Sequence, residues 1–183
     1  MKITFKNNNI KKLIKEELDK MSSIDLRGYY KKHKNNKEWL EILSRFPEEL
    51  QREIIVERGE GTKKDIDELK GYTLNNNQPI NVNIKDILKD NFYILEIIPQ
   101  EVLNVINKKW GINAKTVKVY DQNPNRYFEY AKMSPSTAKP SVMFDGQIWW
   151  GIGRFVAALV RGDKTIRVWD LRKTNNQNLT GYP

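Results

Sequence analysis

The chain has 183 residues, 39% of them hydrophobic and 30% charged, and a net charge of +9. That length and balance fit a folded protein of one domain, or a small domain with an extension, and exclude a disordered polar chain. Zero cysteines exclude disulfide and thiolate chemistry, a single histidine argues against a histidine metal cage or a Ser-His couple, and no apolar run approaches the ~20 residues that span a bilayer.

The first half reads as helical. Ile10, Leu13, Ile14, Leu18 and Met21 recur at helical spacing, and Trp39, Leu40 and Leu43 begin a second stripe. Pro47 sits at the first position of a helix whose apolar face includes Leu50, Ile54 and Ile55, and Gly59 stops it. Residues 60–64 form a loop, and 65–69 are too short to assign. The run 75–79, three asparagines ending in Gln78-Pro79, is a stronger break. Ile80, Val82 and Ile84 alternate as in a short strand, and the apolar residues from Ile87 to Ile98 fit either a helix or a buried strand. Pro99 opens another helix, with Val102, Leu103, Ile106 and Trp110 on one face and Gly111 at its end.

From 116 onward the elements shorten. The pattern predicts a strand over 116–120, a helix over 125–133 and strands over 141–144 and 147–150. Asp145-Gly146 between the last two is a hairpin turn of the type that needs positive φ at both central positions. A helix over 153–161 and a strand over 165–171 complete a β-α-β-β-α-β order. The fold class is α+β, with a mainly helical region over 1–112, a small mixed domain over 113–173 and a polar tail over 174–183. Trp149 and Trp150 fall on opposite faces of their strand. One is expected in the core, and the other is open to stack a base or cover a helix.

Gly151, Gly153 and Arg154 open the last helix, where unpaired backbone N–H groups and the helix dipole favour an anion such as a phosphate. The glycines equally allow close packing of helix on sheet. Arg154 is unexpected beside the positive end of a dipole and calls for a bound anion or a carboxylate partner. Ser136, Thr137 and Lys139 belong to a loop able to close over a nucleotide. Asp145 reads first as a turn former and second as a metal-binding carboxylate for nuclease chemistry, Asp121 and Asn123 read as turn formers, and His33, inside a basic run, reads as solvated ahead of a phosphate contact.

The stretch 139–148, followed by Gly151-Ile152-Gly153-Arg154, Ala157-Ala158, Gly162 and Ile166-Arg167-Val168, resembles the ParB/sulfiredoxin superfamily, and Asn123 to Arg126 is similar to its Asn-Pro-Arg segment. The resemblance covers about residues 115–172. It implies a phosphate cradle at Gly151 and Arg154, with Arg126 nearby, on a fold whose branches include CTP-binding DNA clamps, nucleases, small-molecule kinases and sulfinic acid reductases. Ile152 and Gly153 replace the Glu and Arg of the clamp box, and the reductase cysteine has no counterpart.

Residues 1–114 carry 21 Lys+Arg against 18 Asp+Glu, whereas 115–183 carry 11 against 5. The excess of positive charge therefore lies around the glycine box and points to a polyanion. Arg161, Lys164 and Arg167 are the candidate nucleic-acid contacts. The 23 lysines, 19 asparagines and 19 isoleucines also fit coding from AT-rich DNA, as in phages and mobile elements. The expected protein is cytoplasmic, without a signal peptide or membrane partner. It is nucleic-acid-associated, binds DNA or RNA, and has a pocket for nucleotide or DNA phosphate. A nucleotide, with or without Mg2+, is the cofactor this admits, and no metal-ligand set is assigned. Nuclease, NTPase and phosphotransferase activity stay open, as does a non-catalytic scaffold or inhibitor that docks an acidic protein.

Overall fold

The structure is a computed structural model and describes residues 24–90, 98–114, 124–132 and 139–174. Within them run α1 (Leu26–Lys32), α2 (Lys37–Ser44), α3 (Glu48–Arg58), α4 (Lys63–Lys70), β1 (Tyr72–Leu74), β2 (Ile80–Asn83), α5 (Ile84–Asp90), α6 (Gln100–Trp110), α7 (Pro124–Ala131), β3 (Ser141–Phe144), β4 (Gln147–Trp150), α8 (Ile152–Arg161) and β5 (Thr165–Lys173). The stripe over 10–21, the strand expected over 116–120 and the apolar run 92–97 lie outside the described residues.

Local chemistry sets the element ends. Pro47 and Pro99 stand one residue ahead of α3 and α6 as their N-caps, and Gly59 and Gly111, with φ of 64° in both cases, end the same two helices. Residues 63–70, too short to assign from periodicity, are held helical by a capping box at the N-terminus. Thr62 accepts from the Asp65 N–H, and the Asp65 carboxylate accepts from the Thr62 N–H. Ile84 does not extend the strand but opens α5, its N–H donating to the Lys164 carbonyl at 3.0 Å. Asp145 and Gly146 take φ of 48° and 86°, the pairing the β3–β4 hairpin requires.

The five strands form one mixed sheet centred on β5. Along one edge of β5, β1 and β2 pair antiparallel with its two ends; along the other, β3 runs parallel to it and β4 closes the sheet. Strands from both sides of the 112/113 boundary thus share one hydrogen-bonded ladder. Side-chain alternation on the strands supplies two cores. Ile166 and Val168 of β5, Met143 and Ile148 meet α5, α6 and α8 on one face. Val142, Phe144, Trp150, Trp169 and Leu171 meet α2, α3 and α4 on the other, around the fully buried Trp39, Leu43, Leu50 and Leu69. Of the tryptophan pair, Trp150 enters the second core. Trp149 is 44% exposed, but a register shift interrupts the β3–β4 ladder beside it and its ring, like that of Trp150, lies against Phe144, so the two tryptophans do not take opposite faces as strand alternation predicts.

Candidate functional site

Two places at opposite ends of α8 gather the residues singled out in the sequence. At its N-terminus, the Ser141 hydroxyl donates to the Gly151 carbonyl at 3.1 Å, and the Arg154 and Phe155 N–H groups donate to the same oxygen at 3.0 and 3.1 Å. Gly151 has φ of 77°, and a Cβ there would stand 2.5–2.7 Å from the Arg154 guanidinium. Glycine is therefore required by the backbone and by the arginine folded over it. Gly153 is different, since a Cβ there would meet nothing within 4 Å.

Arg154 has a carboxylate partner inside the protein. Its guanidinium donates to both oxygens of Glu53 and, at 2.7 Å, to the Pro140 carbonyl; the arginine side chain is 7% exposed and that of Glu53 5%. Glu53 comes from α3, on the opposite face of the sheet from α8. The pair thus joins the two helical layers where β3 begins. Lys139 lies half-buried beside it, its ammonium held below the usual lysine range by burial and by the Arg154 charge, against the pull of Glu53. The structure accordingly brings Lys139, Gly151, Gly153 and Arg154 together. Ser136 and Thr137 lie outside the described residues. Arg126 stands half-buried in the first turn of α7, a helix that packs on α8.

At the C-terminus of α8, Arg161 clamps Asp163 through two N–H groups at 2.9 and 2.7 Å and reaches the Tyr130 carbonyl at 3.4 Å, fastening α8 to α7. Lys164 and Arg167 are exposed. Arg167 pairs in register with Asn81, and Thr165 with Asn83, so that end of the β2–β5 ribbon shows a polar, basic face. Next to it opens a cleft of about 430 Å³ lined by Asn83, Lys85, Lys109, Trp110, Gly162 and Lys164. Among the described residues, no carboxylate lines it. Lys85 and Lys164 have no ion-pair partner among the described residues, and Lys109 donates to the Val160 carbonyl. The Trp110 indole N–H donates to the Leu159 carbonyl at 2.9 Å. Both interactions fall where the negative end of the α8 dipole attracts donors.

Sequence reasoning missed Glu53, Lys85, Lys109 and the role of Trp110. Glu53 had one legible signal, an acidic residue three positions after Leu50, within the apolar stripe of its helix. The lysines had none, because chain order does not reveal that α5, α6 and the start of β5 converge. Among the described residues, no group of three or more His, Cys, Asp or Glu side chains gathers to hold a metal, and no helix is long and apolar enough to cross a membrane. Compared with known protein families, curated proteins and solved structures, the chain matches none.

Proposed function

We propose that this is a nucleic-acid-associated protein that binds the phosphate backbone of DNA or RNA through the basic end of its sheet. The observation that carries the reading is the cleft of Lys85, Lys109 and Lys164, which no carboxylate among the described residues lines, at the end of the β2–β5 ribbon that also exposes Arg167. Several unneutralised ammonium groups around one concavity favour a polyanion, because each phosphate they neutralise releases condensed counterions. In this reading the glycine-arginine turn is a latch rather than a phosphate cradle, since Glu53 already neutralises Arg154. The β-β-α-β run over 141–173 is compatible with the ParB/sulfiredoxin resemblance, which adds nucleic-acid and nucleotide chemistry as context. No catalytic role is assigned to any residue.

Anisotropy titrations of labelled DNA and RNA across a salt series test the proposal. Affinity is expected to fall steeply with salt, and Lys164→Glu with Arg167→Glu to weaken binding by tenfold or more while lowering the slope of log affinity against log salt by roughly one per lost phosphate contact. Binding that is absent at low salt, or indifferent to both substitutions, rejects it. The competing reading, docking of an acidic protein, draws on Trp149, which lies in an open groove with Lys63 and Lys64 but also with Asp67 and Glu68. The two acids make that groove the weaker polyanion surface.

A further inference from the structure

We infer that the lysine cleft takes a single-stranded segment of nucleic acid, with one unpaired base laid against Trp110 and the flanking phosphates held by Lys85, Lys109 and Lys164. The inference rests on the nucleic-acid association proposed above and adds the strandedness of the ligand. Trp110 is the last residue of α6. It is partly buried against the core that holds the α8 residues and also lines the cleft, and its indole N–H is committed to Leu159 at 2.9 Å. The indole is therefore fixed by both packing and a hydrogen bond, and what it offers the cleft is an apolar aromatic surface with no donor left to use. A ring fixed in this way, rimmed by ammonium groups, supplies the two elements by which proteins hold single strands, a stacking plate and a positive track.

Size and chemistry favour the single strand over the duplex. A concavity of about 430 Å³ lies in the range that accepts one small ligand, which corresponds to one nucleotide. In a duplex the bases stay stacked and paired, and a base reaches such a pocket only after it has been unpaired and flipped. The polar groups present suit a base edge and a backbone rather than a second anion. Asn83 uses its side-chain oxygen on the Lys85 N–H at 2.9 Å, which leaves its amide N–H2 as a donor at the rim. Gly162, at φ of 84°, closes α8 with no side chain between Lys109 and the cleft; a Cβ there would stand 3.0 Å from the Lys109 chain.

The test compares a mixed-sequence single strand of about a dozen nucleotides with the corresponding duplex, by anisotropy at one salt concentration. Single strands of DNA or RNA are expected to bind at least tenfold tighter than duplex. Trp110→Leu, which keeps apolar bulk but removes the aromatic face, is expected to erase that preference. Trp149→Ala, outside the cleft, should leave the preference intact. Because Trp110 also packs on the core, the wild-type protein is in addition photo-crosslinked to a halouridine-bearing strand, and the crosslinked peptide is expected to contain Trp110. Equal binding of the two forms, a preference that survives Trp110→Leu, or a crosslink mapping elsewhere overturns the inference while the nucleic-acid reading stands. If neither form binds at low salt, both fall together.

Discussion

The Glu53–Arg154 pair shows how much of this protein hangs on single residues. Two charges almost wholly removed from water are tolerable only because each satisfies the other and the Pro140 carbonyl takes a further guanidinium proton. Removing one partner leaves a buried charge alone. Glu53→Gln or Arg154→Ala is therefore expected to destabilise the fold by about 3–5 kcal/mol, lowering Tm by on the order of 10 °C for a chain of this size. A double change of Glu53 and Arg154 to apolar residues of similar volume should recover much of that loss; a double variant no more stable than either single one would show that the pair is not the source of the effect. The two glycines of the same turn separate cleanly. Gly151→Ala meets both a positive φ and the Arg154 guanidinium, so a loss of roughly 1–3 kcal/mol is expected. Gly153→Ala enters open space inside a helix and should gain about 0.5–1 kcal/mol. Chemical denaturation of the two variants side by side decides the point, and equal losses would contradict the open space at Gly153.

At the scale of elements, the sequence was most legible where the determinants are local. The Asp145-Gly146 hairpin, the strands 141–144 and 147–150, and the Gly59 and Gly111 helix ends could be read from neighbouring residues, because turn chemistry and capping act over three or four positions. Ile84 departs from the strand because the alternation of Ile80 and Val82 carries one residue further in sequence than in structure, where the Lys164 carbonyl captures its N–H. The Glu53 carboxylate, the β2–β5 pairing and the lysine cleft were not legible, since each joins residues more than fifty positions apart. Periodicity alone does not reveal α4, although its capping box stands in the sequence as Thr62 and Asp65. That box also sets a pH dependence. Burial works to raise the Asp65 pKa, but hydrogen bonds from Thr62 and the Arg58 charge outweigh it, so the carboxyl titrates below its ordinary value. A group whose folded pKa is depressed stabilises fully above its unfolded pKa and loses that contribution as pH falls through the folded one. Asp65→Asn should thus lower stability at neutral pH by about 1–3 kcal/mol and flatten the stability profile on the acid side below about pH 4. An unchanged acid limb in denaturation curves would refute the assignment.

For the whole molecule, the decisive fact is that β5 is shared. This one strand is paired by β1 and β2 from the first half of the chain and by β3 from the second, and its faces feed both cores. The helices over 26–70 cover Val142, Phe144, Trp150, Trp169 and Leu171, while α5 and α6 cover Ile166 and Val168. A fragment limited to 113–173 would keep α8 on one face of a three-stranded remnant but lose the α5 and α6 cover of that face, expose the whole of the other face and leave the outer edge of β5 unpaired, a combination that favours aggregation over folding. It would also lose Glu53 and leave Arg154 without its carboxylate. The 113–173 fragment is accordingly expected to give a poorly dispersed amide spectrum and no cooperative thermal transition, whereas a fragment over 24–174 unfolds in one step. A dispersed spectrum and a sharp transition for 113–173 would mean that the α+β segment is an independent unit onto which the helical region is merely packed. The opposite result makes the lysine cleft a property of the whole fold, because Lys85 and Lys109 reach it from the first half and Lys164 from the second.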